Sequence, residues 1–493
     1  ANLGLRWEYQ GPPHNFRPGL DSNFYLGATT EPAAWTSGSN PLCGPNGPVG
    51  NPFFPCGSDQ FRAVANGIFS VRNKNIWAKD TNNFAPRVGF AWDVRGDQKF
   101  VVRAGGGVFY DRIWNNLFEN IRFNPPYFAF AGIGSLFDGT PVGPLSLPGF
   151  FQFPINPSLF ATATAASPRH MDENLLLPYT QQYFAGIEYQ FSSNMALHLT
   201  YTSTLGRKLT GLVDLNTYPG RLSSGYLSTR PNTAIGSDNS RTNAFSSNYH
   251  GIEAMLIKRM SHGLQFQANY TFSKAIDEMS DAFSGKDALR PANALNLKLD
   301  RGRADFDVTH RFVTSVYYEL PFFKQNRWIG GWATGGYLTF RTGTPFSILC
   351  DCDSNRDGYY TDRAQFVGTG SLTSLLSSKP SPGDGYLQTT ASDGSDLFVP
   401  TPVDPSKNMG LWVDGSLARN ILSGPGSADV TWTIQKRFRV TEHTAFQFQA
   451  NFFNMFNHPN FTLPDGYIDD PAFGKSTNTF DPRIIQLALR FDF

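Results

Sequence analysis

The sequence predicts an all-β fold, a transmembrane antiparallel up-and-down β-barrel wall of about twelve strands with short turns at one end and long loops at the other. Three observations predict it. Apolar and polar residues alternate along segment after segment, the connections alternate between short and long, and aromatics are abundant in a chain that is polar on average.

The alternation is clearest where Leu264, Phe266, Ala268, Tyr270 and Phe272 interleave with Gln265, Gln267, Asn269, Thr271 and Ser273. Near the C-terminus Ile485, Leu487, Leu489, Phe491 and Phe493 alternate with Gln486, Ala488, Arg490 and Asp492. The same period recurs in Leu3, Leu5, Trp7 and Tyr9, in Val430, Trp432 and Ile434, and in Phe446, Phe448, Ala450 and Phe452. A period of two places these residues on one face of a strand. The other face carries Gln, Asn, Thr, Arg and Glu, the lining of a water-filled lumen. A soluble sandwich would show a similar alternation, so the connections decide between the two.

Strands are predicted near 2–10, 84–95, 99–111, 179–192, 195–209, 248–260, 263–276, 307–320, 329–342, 428–440, 443–456 and 482–493. Short links at 95–98, 193–194, 261–262, 321–328 and 441–442 separate long ones at 11–83, 112–178, 210–247, 277–306, 343–427 and 457–481. Short periplasmic turns and long extracellular loops are the asymmetry of outer-membrane barrels. The phase holds through all the connections and brings the C-terminus to the periplasmic side. The expected surroundings are outer-membrane lipid.

Composition closes other routes. Lys and Arg number 41 against 40 Asp and Glu, a formal charge of +1, so no nucleic-acid partner is expected. The chain has 44 Phe, 19 Tyr and 9 Trp at a mean hydropathy of −0.31, and no run reaches the roughly 20 apolar residues of a spanning helix. Gly105-Gly106-Gly107 lies inside a strand with no helix after it, which fits a close approach rather than a phosphate cradle, and Gly330-Gly331 and Gly335-Gly336 read alike. The inward charges, among them Arg6, Glu8, Arg87, Arg103, Glu188, Arg311 and Arg341, are expected to pair across strands and stiffen the wall. No enzyme is expected. His310 has outward parity, but no outward Ser faces it and no G-x-S-x-G occurs.

Four cysteines form two local pairs. Cys43 and Cys56 would close a Pro- and Gly-rich loop by a disulfide in an oxidising compartment. Cys350 and Cys352 are one residue apart, which would strain a bridge and leaves both bridge and free thiols open. Asp353, Asn355 and Asp357, with Gly358 and the Tyr359 carbonyl, match the start of a calcium loop, in which oxygens at alternate positions surround the ion. The Glu at position twelve is replaced by Ala364, so Asp362 or Asp351 would have to complete the ligand set. A structural Ca2+ and an Asx-rich turn that binds nothing both fit.

Several blocks resemble the TonB-dependent receptors of the Oar-like type: NLGLRWEYQGPP at 2–13, NNFAPRVGFAWDV at 82–94, VVRAGGGVFYDRI at 101–113 and LPYTQQYFAGIEYQ at 177–190. They continue with ANYTFSKAID at 268–277, DFDVTHRFVTSVYYELPF at 305–322, GGWATGGYLTFRTGTPFSI at 330–348 and FFNMFNHPNF at 452–461. The blocks run in the family's order over nearly the whole chain, so the resemblance implies that residues 1–493 are the C-terminal barrel portion of a longer receptor, with a truncated chain closing a smaller barrel as the alternative. Such receptors precede the barrel with a signal peptide, a carboxypeptidase-regulatory-like domain, a TonB box and a plug, none of which stands in this sequence. The resemblance implies uptake of a solute, with energy from a TonB-type coupling protein acting on an N-terminal region absent here. A structural or adhesive surface barrel and a passive pore are the alternatives. The ending at Phe491 and Phe493 looks like the signal read by the barrel-assembly machinery.

Overall fold

The computed structural model describes residues 1–12, 76–124, 168–215, 238–282, 296–322, 329–352, 362–377, 385–401, 415–441 and 444–493, with short pieces at 23–26, 63–64, 67–70, 291–292, 326 and 354. Twelve long strands form one antiparallel meander in chain order. They are β1 (Asn2–Trp7), β2 (Phe84–Asp93), β3 (Phe100–Tyr110), β4 (Tyr179–Ser192), β5 (Met195–Asp214) and β6 (Asn239–Ser261). The second half comprises β7 (Leu264–Asp277), β8 (His310–Glu319), β9 (Trp332–Arg341), β10 (Ser427–Arg439), β11 (Ala445–Phe453) and β12 (Ile484–Asp492). Among the described residues β1 pairs only with β2 and β12 only with β11, so the wall is open at both ends of this order.

The register sorts the side chains by chemistry. One row runs Ile187, Leu199, Ala254, Tyr270, Phe312, Phe340 across β4 to β9. One residue along each strand lies the row Gly186, Thr200, Glu253, Thr271, Arg311, Arg341, ending at Ser427 on β10. A slip of one residue would exchange the rows, so the apolar face locks the register. That face is open to its surroundings: Leu3 is 84% exposed and Leu489 71%. This is the pattern of a wall whose apolar side meets lipid.

Tight turns hold the short end. Asp93 closes the β2–β3 turn, its carboxylate accepting from the Gly96 and Gln98 amides at 2.9 and 2.8 Å. His262 and Gly263 join β6 to β7 with φ of 52° and 79°, the two left-handed residues of a type I′ hairpin, whose twist suits the strands. The strand glycines make room for rings. A Cβ at Gly105 would stand 2.7 Å from the Phe184 ring, and one at Gly106 2.6 Å from that of Tyr183, both on β4.

The largest departures from the sequence reading are at two boundaries. β5 continues to Asp214 and β6 begins at Asn239, so the predicted loop 210–247 shrinks to the residues between those two. The physical reason is a pair of irregularities, between Thr242 and Phe245 and between Phe245 and Ser247, next to Lys208 at φ 52°. Such bulges shift the period of two and erase the alternation that marks a strand.

The open order makes a prediction. Cysteines at Phe448 and Leu489, direct partners on β11 and β12, should cross-link readily in membranes. Cysteines at Leu5 and Leu489 should not. An efficient bridge between the latter pair would mean that these twelve strands close on themselves.

Candidate functional site

The described parts of the long connections form a cap with two apolar cores. The first unites the 342–426 and 454–483 connections: Phe346, Ile348, Leu387, Phe398, Leu417 and Leu422 are buried, with Leu463, Ile468 and Phe473 packed against them. The second brings Ile76 and Trp77 against Ile113, Leu117 and Ile121, and against Met171, Leu175 and Ala282. Leu117 sits on a one-turn helix, Asn115–Glu119. The short strand Arg169–Met171 adds in parallel to β6. Two buried amides act as surrogate partners for its backbone. Asn23 accepts from the Met171 amide (2.8 Å) and donates to its carbonyl (3.0 Å), and Asn124 does the same at Arg169 (2.8 and 2.6 Å).

Three arginines tie the β7–β8 connection to the β9–β10 connection. The buried Arg419 guanidinium donates to Asp277 Oδ1 at 2.6 Å, Asp305 Oδ1 at 2.9 Å and Ser280 Oγ at 2.7 Å. Asn420 donates to the same Asp305 oxygen and to the Arg303 carbonyl, both at 2.7 Å. Arg303 bridges Asp307 (2.7 Å) and Ser423 (2.6 Å), and Arg363 donates to Asp300 at 2.8 Å. A Cβ at Gly302 would stand 2.6 Å from the Arg419 carbonyl, so glycine permits this approach. Buried charges persist only when paired and hydrogen-bonded, and this cluster meets that demand. Arg301 also pairs with Glu278, which accepts from the Ser246 amide at 2.7 Å.

A cavity of about 350 Å³ lies between this arginine cluster, which latches the two connections together, and the second core, with Asp111, Arg112, Trp114, Phe245, Met279 and Asp281 among its walls. Ser280 also lines it, so the cavity and the Arg419 latch share a residue. Nearby, the His170 Nδ1 is 3.5 Å from the fully buried Asp238 carboxylate. Burial pushes that carboxyl above the ordinary aspartate range, and His170 opposes the shift.

On the polar face below the cap one of the expected charge pairs crosses strands, Arg103 with Glu188 at 3.1 Å. Arg6 pairs instead with Glu8 two residues along its own chain segment at 3.1 Å, and Arg87 lies 4.5 Å over the Phe109 ring. Arg311 and Arg341 break the rule. They are direct partners of like charge, with Arg341 donating to Ser427 Oγ at 2.9 Å. A second cavity of about 260 Å³ lies on this face, where Gly335 stands among Gln265, Ser315, Tyr317, Thr433 and Gln435.

Of the residues singled out from sequence, Asp353, Asn355, Asp357 and Tyr359 lie outside the described residues, as do Cys43 and Cys56. Asp362 is buried, its carboxylate accepting from the Ser354 amide at 2.6 Å and its carbonyl from the Cys350 amide at 2.8 Å. Cys350 and Cys352 are joined by a disulfide with their Cα atoms 5.0 Å apart. Among the described residues no group of three His, Cys, Asp or Glu could hold a metal ion. Phe491 packs on Phe446 at 4.7 Å and on Phe493 at 5.7 Å. His310 is hydrogen-bonded through Nδ1 to the Tyr270 hydroxyl. The latch was missed by sequence reasoning. Its one local signal is the dense charge of RGRADFD at 301–307, whose partner Arg419 is more than a hundred residues away.

The chain is similar to several solved outer-membrane proteins. The outer membrane transporter YddB from Escherichia coli superposes with a TM-score of 0.45 at 10% identity over 84% of this chain and 41% of that one. BauA, the ferric preacinetobactin receptor from Acinetobacter baumannii, gives 0.39 at 10% identity over 85% and 38%. The ferric-catecholate import receptor Fiu from E. coli K12 gives 0.39 at 11% over 96% and 40%, so the chain spans less than half the length of each. No curated protein matches it in sequence. A family model described as an outer membrane beta barrel domain matches residues 1–486, the length of the strand ladder into β12, and the chain belongs to that family.

Proposed function

We propose that this chain supplies wall and cap to a TonB-dependent receptor of the Oar-like type, which captures a solute on its long-loop side and moves it inward across the outer membrane. The observation that carries the reading is the latched cap beside a polar-faced wall. A cavity of about 350 Å³ is within the range of small-molecule sites. The sequence blocks that resemble such receptors support the same reading. In it the long connections face outward and the short turns face the periplasm. A TonB-type coupling protein acts from that side, and the barrel-assembly machinery reads Phe491 and Phe493 there.

Uptake separates this reading from its alternatives. Cells carrying the protein should deplete at least one medium component faster than cells lacking its gene, and a protonophore should abolish the difference. Depletion that survives the protonophore would indicate a passive pore. Equal depletion by both strains would favour a structural or adhesive barrel.

Calcium at Asp353, Asn355 and Asp357, closed by Asp362, is proposed as a brace for the 353–362 segment, and Arg419 as the brace for the cap around it. Removing one partner of a buried pair costs roughly 3–5 kcal/mol. Arg419→Ala should therefore expose the cap to protease while the strands stay protected. Chelator or Asp357→Ala should speed cleavage within 353–362 alone. Cleavage unchanged by chelator would reduce the motif to a turn, and unchanged cap protection in Arg419→Ala would remove the latch.

A further inference from the structure

The apolar face carries a compact basic and aromatic patch at its long-loop end. Tyr201 Oη and His250 Nδ1 are hydrogen-bonded at 2.8 Å, with their rings stacked 6.2 Å apart. The arrangement repeats two strands on, where Tyr270 Oη meets His310 Nδ1 at 2.8 Å with the rings 6.2 Å apart, and Phe272 lies 5.1 Å from the same imidazole. Lys274 stands between the two pairs. It is the direct partner of His250, and Phe272, two residues earlier on the same face, is the partner of His310. His250, Lys274 and His310 are all exposed. Neighbouring strands lie about 4.8 Å apart and two residues rise about 7 Å, so the backbones of the three basic residues fall within about 12 Å of one another.

Their depth in the membrane follows from the register. On the same face of β6, Lys258 lies eight residues from His250, about 27 Å of strand or about 20 Å at the tilt of a barrel wall. That span is close to the apolar band of such walls, so the two ends mark its boundaries. At the short-turn end Lys436 is buried against rings, 4.8 Å from Trp332 and 4.7 Å from Phe438. Lys274 differs, for no carboxylate among the described residues reaches it within ion-pair distance. An ammonium at a lipid-facing boundary is stabilised by an anionic headgroup beside it. Both imidazoles engage Nδ1 with a tyrosine, which holds the rings and leaves Nε2 as the nitrogen for a ligand.

We propose that His250, Lys274 and His310 form a binding site for the phosphorylated glucosamine headgroup of lipid A in the outer leaflet. The site rests on the outward orientation of the long connections given above. The rings of Tyr201, Tyr270 and Phe272 contact the upper acyl chains, and the three basic groups hold a phosphate. Three basic side chains converging on one boundary suit a doubly phosphorylated saccharide better than a zwitterionic phospholipid, which brings its own ammonium.

Native mass spectrometry of the protein purified from outer membranes tests the site, with lipid A, dephosphorylated lipid A and phosphatidylglycerol as added probes. Phosphorylated lipid A should be retained through detergent exchange and the dephosphorylated form lost. Lys274→Gln alone should lower retention about fivefold, the worth of one cation at a charged membrane surface. The triple variant Lys274→Gln, His250→Asn, His310→Asn should abolish it, while Lys258→Gln should leave it unchanged. Heat-modifiable electrophoretic mobility checks folding, and the single variant serves if the triple does not insert. Equal retention by wild type and Lys274→Gln overturns the site. Preference for phosphatidylglycerol overturns its assignment to lipid A. Protease added to intact cells separates that failure from a failure of orientation, because cleavage of the cap shows the long connections to be outside.

Discussion

The hydrocarbon of a bilayer offers no water to a backbone amide, and the rest of this structure depends on that constraint. Each N–H and C=O in the spanning region must find its partner on a neighbouring strand. The antiparallel ladder from β1 to β12 answers this except at the outer edges of those two strands, and pairing imposes a period of two on the side chains. The chain uses that period to separate two chemistries. Leu199, Ala254, Tyr270, Phe312 and Phe340 share the face toward lipid, and Thr200, Glu253, Thr271, Arg311 and Arg341 share the other. The like-charged Arg311 and Arg341 are tolerable only where water can reach them.

Beyond the ladder the constraint changes. The long connections meet water and must bury apolar surface of their own, which they do in two small cores rather than one. Small cores supply little stability. The Arg419, Arg363 and Arg303 cluster joins connections that the apolar contacts leave separate, and it does so with guanidinium groups each paired to a carboxylate. Such a junction is directional, and it confines the cap to one arrangement beside the cavity that shares Ser280 with it. A purely apolar junction of the same size would leave more ways for the connections to slide.

The strands were legible in the sequence because alternation is local: the run from Leu264 to Phe272 announces its own two faces. The far ends of β5 and β6 were not, because the bulges around Phe245 and the left-handed Lys208 break the period. The cap was illegible for a different reason. Leu422 and Phe346 meet across most of a loop, and Arg419 meets Asp277 from 142 residues away, so no window of sequence contains both partners. The Cys350–Cys352 bridge was left open because adjacent spacing argues against it, whereas the surrounding backbone holds the two Cα atoms at 5.0 Å. The buried Asn23 and Asn124 gave no sign at all, since a lone Asn in a loop reads as a turn residue.

The separation of faces is the claim on which everything else stands, and a pair of adjacent substitutions on β7 tests it. Ala268 belongs to the apolar row and Asn269 to the polar one, at the middle of the same strand. Reversible unfolding from lipid vesicles should show Ala268→Arg destabilised by roughly 2–4 kcal/mol, the cost of an arginine at the bilayer midplane. Asn269→Arg should cost far less, because this position lies on the polar side of the strand, away from lipid. Equal costs at the two positions, or a larger one at Asn269, would contradict the register and with it the assignment of lipid-facing and water-facing sides.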